Sequence, residues 1–386
     1  YLGGKGVNAR ILWDRVPPEV NAFSPDNLLI VGTGVFTGTM VPAANRTIIT
    51  FKSPVTDIHA HSGVGGFFGA QLKFAGYDTV IISGKSPTPV YLWINDDKVE
   101  LRDANHLWGK DNFETRRVIQ EELKEDDVEI LSIGLAGENK VNAASIEGGN
   151  GVSASRAGPG VVMGDKKLKA IAVHGTTDIK VANGPKLTEL CDQILDRSGP
   201  LKETMKEYGQ STTVTLANRH LWAMAHHSGD VPLEVQQKVE DLFKITNDFV
   251  EKFQSRKSAC YNCALQCKPV FPSPDGDIFF SSKCQMFSAA IIHSQVIDCD
   301  FTLEFHKLCQ KYGFDDISLP NYIAFAIDLY QRGILTKEDT DGLELEWRNT
   351  EVAFALIEKI VRREGIGDVL ADGVYRAAQR IGKGAE

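Results

Sequence analysis

Cys260, Cys263 and Cys267 fall within eight residues, in the run Ala259-Cys-Tyr-Asn-Cys-Ala-Leu-Gln-Cys-Lys-Pro269, and a fourth thiol, Cys284, follows seventeen residues later. Three thiols this close cannot pair off as disulfides, because one is always left over. The C-x2-C-x3-C spacing suits sulfurs that converge on an inorganic centre, either an iron–sulfur cluster or a zinc ion. Structural zinc more often arrives with two C-x2-C or Cys/His pairs. No His follows at finger spacing, which favours iron–sulfur. The other three of the seven cysteines, Cys191, Cys299 and Cys309, lie in apolar helical contexts and read as core thiols.

Two glycine-dense segments offer a second kind of chemistry. In His61-Ser-Gly-Val-Gly-Gly-Phe-Phe-Gly69, with Gly63 and Gly66, and in Gly148-Gly-Asn-Gly-Val-Ser-Ala-Ser-Arg-Ala-Gly-Pro-Gly160, bare backbone can approach a bulky ligand. Nests of backbone N–H suit phosphate oxygens, and Arg46 and Arg156 supply charge-assisted donors. Taken singly, either segment reads equally well as turns in a β-rich domain. Together, and with the cysteines downstream, they favour an anionic cofactor. A third segment, Gly32-Thr-Gly-Val-Phe-Thr-Gly38, has G-x-G-x-x-x-G spacing. No acidic residue follows where a ribose contact requires one, so a dinucleotide site is disfavoured.

These residues must be held by two kinds of architecture. Runs at 27–31, 47–51, 79–83, 90–94, 129–133 and 168–173 read as strands bounded by turn residues, with one clear helix at Asn112–Leu123 capped by Asp111. From residue 185 the apolar spacing becomes helical, at 186–197, 231–253, 302–312, 319–332 and 350–363, with Gly313, Gly333 and Gly365 near helix ends. The cysteine motif is expected between helices. The fold class is therefore α+β: a β-sheet-rich domain over 1–178 and a mainly helical domain over 179–386, joined near His174–Gly184. At 386 residues, two or three domains are expected. A net charge of −9 excludes a basic nucleic-acid surface, and no apolar run is long enough to cross a bilayer. Cysteine usage fits a reducing, cytoplasmic setting. The chain opens on Tyr1, as expected of part of a longer protein.

The chain resembles the tungsten-containing aldehyde:ferredoxin oxidoreductase family. The matching stretches include Leu2-Gly-Gly-Lys-Gly, Phe36-Thr-Gly-Thr, 67–78, Arg102-Asp-Ala-Asn-His-Leu-Trp-Gly109, Ile133-Gly-Leu-Ala-Gly-Glu-Asn139, 162–171, the cysteine motif and Gly313-Phe-Asp-Asp-Ile-Ser318, in order along nearly the whole chain. The resemblance implies a tungsten bis-pyranopterin on the sheet-rich domain, Mg2+ between its phosphates, and a [4Fe–4S] cluster held by Cys260, Cys263 and Cys267. It implies pterin and phosphate contacts at Arg46, His61, Gly63, Ser153 and Asp315, with His61 and Ser153 acting through backbone carbonyls. The fourth cluster cysteine would lie in a third domain absent from this chain.

Departures from the family are equally informative. Cys284 lines up with the glutamate beside tungsten, where a thiolate could ligate the metal directly or else complete the cluster. The first alternative is similar to the catalytic subunit of class II benzoyl-CoA reductases, which reduce an aromatic acyl-CoA to a cyclic 1,5-dienoyl-CoA. His220, His226 and His227 are then proton-donor candidates, each with an ordinary surface or helix-end alternative. Glu304 is present, but Lys307 and an early His306 break the Glu-x-x-His pair of an intersubunit iron site, and Gln310 replaces a pterin-contacting Asp. Aldehyde oxidation is the alternative activity, and a non-catalytic relay or zinc subunit the alternative of another class. A ferredoxin or ferredoxin-like iron–sulfur subunit, within an oligomeric complex, is the implied partner.

Overall fold

The computed structural model describes residues 2–125, 127–209, 251–272, 279–281 and 298–386. Two sheets face one another across the first half of the chain. The first is antiparallel throughout, in the order β3-β2-β1-β4, from β1 (Leu29–Thr33), β2 (Thr47–Lys52), β3 (His59–Val64) and β4 (Thr79–Ile82). The second runs β6-β5-β10-β7-β8-β9, from β5 (Val90–Asn95), β6 (Lys98–Asp103), β7 (Glu129–Ser132), β8 (Ile146–Glu147), β9 (Ser153–Ala154) and β10 (Leu168–His174). Only the β10–β5 pair is parallel. Burial follows position: central β1 is buried at every residue and edge β6 is largely exposed. That is why the central strands read as unbroken apolar runs.

Leu29, Val31, Ile49 and Phe51 of the first sheet share a core with Leu92, Ile94, Leu131, Ile171 and Val173 of the second. Helix α2 (Phe68–Phe74) inserts Phe68 and Leu72 into the same core. The expected helix at Asn112–Leu123 (α3) is present, and Asp111 caps it by accepting from Glu114 N at 2.9 Å. It is not the only helix in this half. α1 (Gly4–Arg15), α2, α4 (Leu135–Glu138) and α5 (Pro159–Asp165) accompany it. Glycine hides α4 and α5 from a propensity reading. A Cβ at Gly164 would sit 2.0 Å from Gly137 O, and one at Gly160 2.5 Å from Ser145 O, so these helices pack backbone to backbone.

The second half is helical at Gly184–Arg197, Gly199–Tyr208, Cys299–Tyr312, Ser318–Gln331, Thr350–Arg362, Ile366–Ala371 and Val374–Ile381. Asn183, Asp298 and Asn349 cap three of these by accepting a backbone N–H of the first turn. Gly313, Gly333 and Gly365 all take the positive φ expected of them (77°, 73° and 53°). After 350–362 it is Arg363, at φ 55°, that ends the helix, and Gly365 instead precedes the next one. The expected helix over 231–253 lies outside the described residues except for its last turn at 251–253. Phe301, Phe305, Ile323, Ile327, Leu356 and Ile360 form the core of this half, and Ala136, Val141, Ala144 and Val161 from the first half complete it.

The cysteine motif does not sit between helices as expected. It connects β11 (Arg256–Ser258) to β12 (Lys268–Pro272), which with β13 (Phe279–Ser281) make a small antiparallel sheet. Strands this short, carrying Arg, Lys and two prolines, lack the alternation by which a strand is recognised in sequence.

Candidate functional site

One cavity of about 590 Å3 gathers residues from six separate parts of the chain, Met205 of the 199–208 helix among them. Asn45 and Arg46 enter from the approach to β2, His61, Ser62 and Gly63 from β3, and Gly65 from the turn into α2. The second glycine segment brings Gly151, Val152, Ser153, Ser155 and Arg156. The β11–β12 loop contributes Cys260, Cys263, Leu265, Cys267 and Lys268, and the turn after the 299–312 helix adds Asp315, Asp316 and Ile317. The expected phosphate-binding and cysteine residues thus meet in one place. Gly66 lies alongside, where its carbonyl accepts Tyr261 N at 3.1 Å.

Hydrogen bonds to backbone carbonyls hold the loop carrying the cysteines against the first glycine segments. Ala43 N donates to Asn262 O at 2.9 Å, Asn45 Nδ2 to Tyr261 O at 3.1 Å, and Tyr261 Oη to Gly38 O at 3.1 Å. Phe67 and Phe74 meet the Tyr261 ring edge-on, with centroids 6.1 and 5.8 Å away. Glycine is required where the segments touch: a Cβ on Gly65 would fall 2.9 Å from Cys260 Sγ, and one on Gly66 3.1 Å from Val152 Cγ2. The Gly32–Gly38 run is explained by packing. A Cβ on Gly32 would collide at 2.2 Å with Asn8 Oδ1 of α1, whose amide also donates to Ile48 O at 2.9 Å.

Charged groups of both signs line the cavity. Arg46 Nη1 donates to Gly63 O at 3.3 Å. Arg156 Nε lies 3.3 Å from Asp315 Oδ2, with the arginine exposed and the aspartate buried to 2% exposure. Asp315 also accepts from Ser318 Oγ at 2.5 Å and Ile317 N at 3.3 Å, so it is fixed before any ligand arrives. Arg156 N donates to Ser62 Oγ at 3.2 Å, and Ser153 Oγ pairs with Ser155 Oγ at 2.7 Å. His61 is exposed, 6.0 Å from the His59 ring. Its pKa lies below the usual histidine value, first through partial burial and then through Lys5 and His59.

Of the residues singled out in the sequence, Cys284, His220, His226 and His227 lie outside the described residues. None of Cys191, Cys260, Cys263, Cys267 and Cys309 forms a disulfide, and Cys191 and Cys309 are buried as expected of core thiols. His306 is fully buried with Nδ1 3.5 Å from Asp316 Oδ2, while Glu304 and Lys307 pair with each other at 2.9 Å. This helix turn is satisfied within the chain. Sequence reading missed Lys268, which lines the cavity at 7% exposure with no hydrogen bond to its Nζ. Its only signal was adjacency to Cys267.

The donor set fits the implied groups. Three thiols share the cavity with two arginines, a fixed carboxylate and glycine backbone. Among the described residues, no three His, Cys, Asp or Glu side chains could hold a single metal ion. Cluster cysteines each bind a different iron, and three thiols on one loop at this cavity are compatible with that arrangement.

Comparison with known proteins places the chain in a family. The family described as "Aldehyde ferredoxin oxidoreductase, N-terminal domain" matches residues 1–175, and "Aldehyde ferredoxin oxidoreductase, domains 2 & 3" matches 187–386. Tungsten-containing aldehyde ferredoxin oxidoreductase of Pyrococcus horikoshii is 36% identical over 99% of this chain and 63% of its own length. The WOR-like subunit of an aliphatic sulfonate oxidoreductase of Pyrococcus furiosus is 32% identical, over the same shares of both chains. This chain thus spans 63% of the length of those relatives. Among solved structures, the active site complex BamBC of benzoyl coenzyme A reductase with 1,5-dienoyl-CoA is similar at 42% identity and a TM-score of 0.86, over 100% of this chain and 60% of that one. With both halves matched, and with the cysteines and glycine segments meeting at one cavity, this α+β chain belongs to the tungsten-containing aldehyde ferredoxin oxidoreductase family of oxidoreductases.

Proposed function

We propose that the chain carries the active site of a tungsten-dependent reductase that converts the ring of benzoyl-CoA to cyclohexa-1,5-diene-1-carbonyl-CoA. The observation that supports this reading above aldehyde oxidation is the likeness to the benzoyl-CoA reductase complex, 42% identical over the whole chain against 36% for the aldehyde enzyme. The thiol of Cys284, where the family carries glutamate beside the metal, points the same way.

Arg46 and Arg156 would bind the pterin phosphates, with the backbone of Gly63 and Gly66 close beneath. The carbonyls of His61 and Ser153 would meet Mg2+, and Asp315 would accept a pterin N–H. Cys260, Cys263 and Cys267 would hold the [4Fe–4S] cluster, with Cys284 a tungsten ligand. When bound, these groups supply two-electron chemistry at tungsten and one-electron relay at the cluster. The ring takes up two electrons and two protons in all. Because one of His220, His226 and His227 is to deliver a proton to a poorly basic ring, that histidine must be held against the ring and away from water. A ferredoxin-like iron–sulfur subunit in an oligomeric, cytoplasmic complex would supply the electrons. Among the described residues, no helix is long and apolar enough to cross a membrane.

Assays separate the two activities: dienoyl-CoA-dependent electron release against aldehyde-dependent viologen reduction. Tungsten-edge X-ray absorption should find a fifth sulfur around the metal that is lost in Cys284→Ser. Aldehyde turnover with no dienoyl-CoA reaction would overturn the proposal. Each of the three histidines should be changed to Ala in turn, and one change should abolish ring reduction with tungsten retained.

A further inference from the structure

Among the described residues, Lys268 is the one polar group of the cavity lining whose situation neither the fold nor the proposed phosphate contacts explains. It is the first residue of β12 and follows Cys267 directly, so its Cα lies about 3.8 Å from that of Cys267. The residue is 7% exposed, and its Nζ has no hydrogen-bond partner. The two cavity arginines differ. Arg46 is exposed and donates to a carbonyl, and Arg156 is exposed and paired with Asp315. Glu129 feels the charge of Lys268 without hydrogen bonding to it. A buried ammonium with no partner is costly, and native folds keep one only where something else completes it. Lys268 lines the same cavity as Cys260, Cys263, Leu265 and Cys267, so a group bound there is placed to complete it.

We infer that Lys268 is the counter-charge of the iron–sulfur cluster held by Cys260, Cys263 and Cys267, and sets its reduction potential. The inference rests on the proposed cluster. One electron from a low-potential donor adds one unit of negative charge next to the cysteine loop. A fixed positive charge on that loop favours the reduced state, with no proton transfer required. Because Lys268 is buried, the attraction is less screened than between surface charges. Lys268 is a positioning residue in this sense: it acts on the substrate only through the centre whose potential it sets.

The test uses the intact holoenzyme, purified without oxygen, as wild type, Lys268→Gln, Lys268→Met and Lys268→Arg. Iron and tungsten content are measured with the cluster's midpoint potential, followed by electron paramagnetic resonance during dithionite titration. Gln and Met should retain iron and tungsten yet disfavour the one-electron reduction at least tenfold, a shift of about 59 mV to lower potential. Arg should stay near wild type. Either neutral variant suffices if the other does not fold. A neutral variant with wild-type potential overturns the inference. So does one that loses tungsten at unchanged potential, since Lys268 would then anchor a pterin phosphate. Wild type without iron would overturn the cluster reading itself, and this inference with it.

Discussion

Asp315 shows how little freedom the site leaves its individual residues. It is 2% exposed, accepts from Ser318 Oγ and Ile317 N, and faces the exposed Arg156 guanidinium. Asn at this position keeps the shape but lacks the charge, leaving Arg156 without its counter-ion. Asp315→Asn is expected to bind tungstopterin about tenfold less well while retaining iron, which metal analysis of the purified protein would read. The cysteines make the reciprocal case. Cys263→Ser should lose iron and the visible cluster absorbance, with the sheets intact by far-UV circular dichroism. If iron stays, the thiol assignment fails.

At the scale of elements, the site depends on close backbone approach, and glycine substitutions probe it. In Gly65→Ala the new methyl would lie 2.9 Å from Cys260 Sγ. The expected result is reduced iron content with little change in melting, because the conflict is with one side chain at the cavity. Gly160→Ala differs, since its Cβ meets Ser145 O at 2.5 Å and the Ala144 carbonyl carbon at 2.9 Å. Backbone between α5 and the 141–145 turn cannot yield as a side chain can. A loss of about 1–3 kcal/mol in urea denaturation is expected, as for overpacked interiors. A Gly160→Ala variant as stable as wild type would show that this backbone contact tolerates separation.

The whole molecule adds buried charge to this picture. Lys169 and Glu138 form an ion pair inside the protein, with Lys169 Nζ also donating to Lys110 O at 2.7 Å and Gly109 N to Glu138 Oε2 at 2.8 Å. Burial raises the Glu138 pKa and lowers that of Lys169, and the pair offsets both. Removing one partner strands the other, so Glu138→Gln should cost about 3–5 kcal/mol in denaturant midpoints. Glu129 gives a pH signature. Burial lifts its pKa from 4.5 to about 7, against the pull of Arg116 and Lys268. The folded chain therefore holds this proton where the unfolded chain has released it. Its contribution is fully present below pH 4.5 and is lost as pH rises through 7, about 3 kcal/mol in all. In Glu129→Gln that decline should vanish, so the variant gains on wild type between about pH 5 and pH 8. A constant difference across that range would refute the linkage.

Local chemistry made part of this legible in the sequence. The cysteine spacing marked one thiol-bearing loop, the apolar runs marked the central strands, and Asp111 and Gly313 marked helix ends, because each signal is complete within a few residues. The family was legible too, since its motifs recur in order along the chain. Tertiary structure decided the rest. Helices α4 and α5 owe their existence to glycines that allow backbones to touch, an interaction invisible to propensity. The cysteine loop lies on a small sheet, which forms because residues 256–258, 268–272 and 279–281 pair across intervening chain. The burial of Lys268, the closing of Asp315 onto Arg156 and the convergence of six distant segments on one cavity depend on contacts far apart in sequence. Residue types and spacings specified which chemistry the chain can hold, and only long-range packing specified where its charges meet.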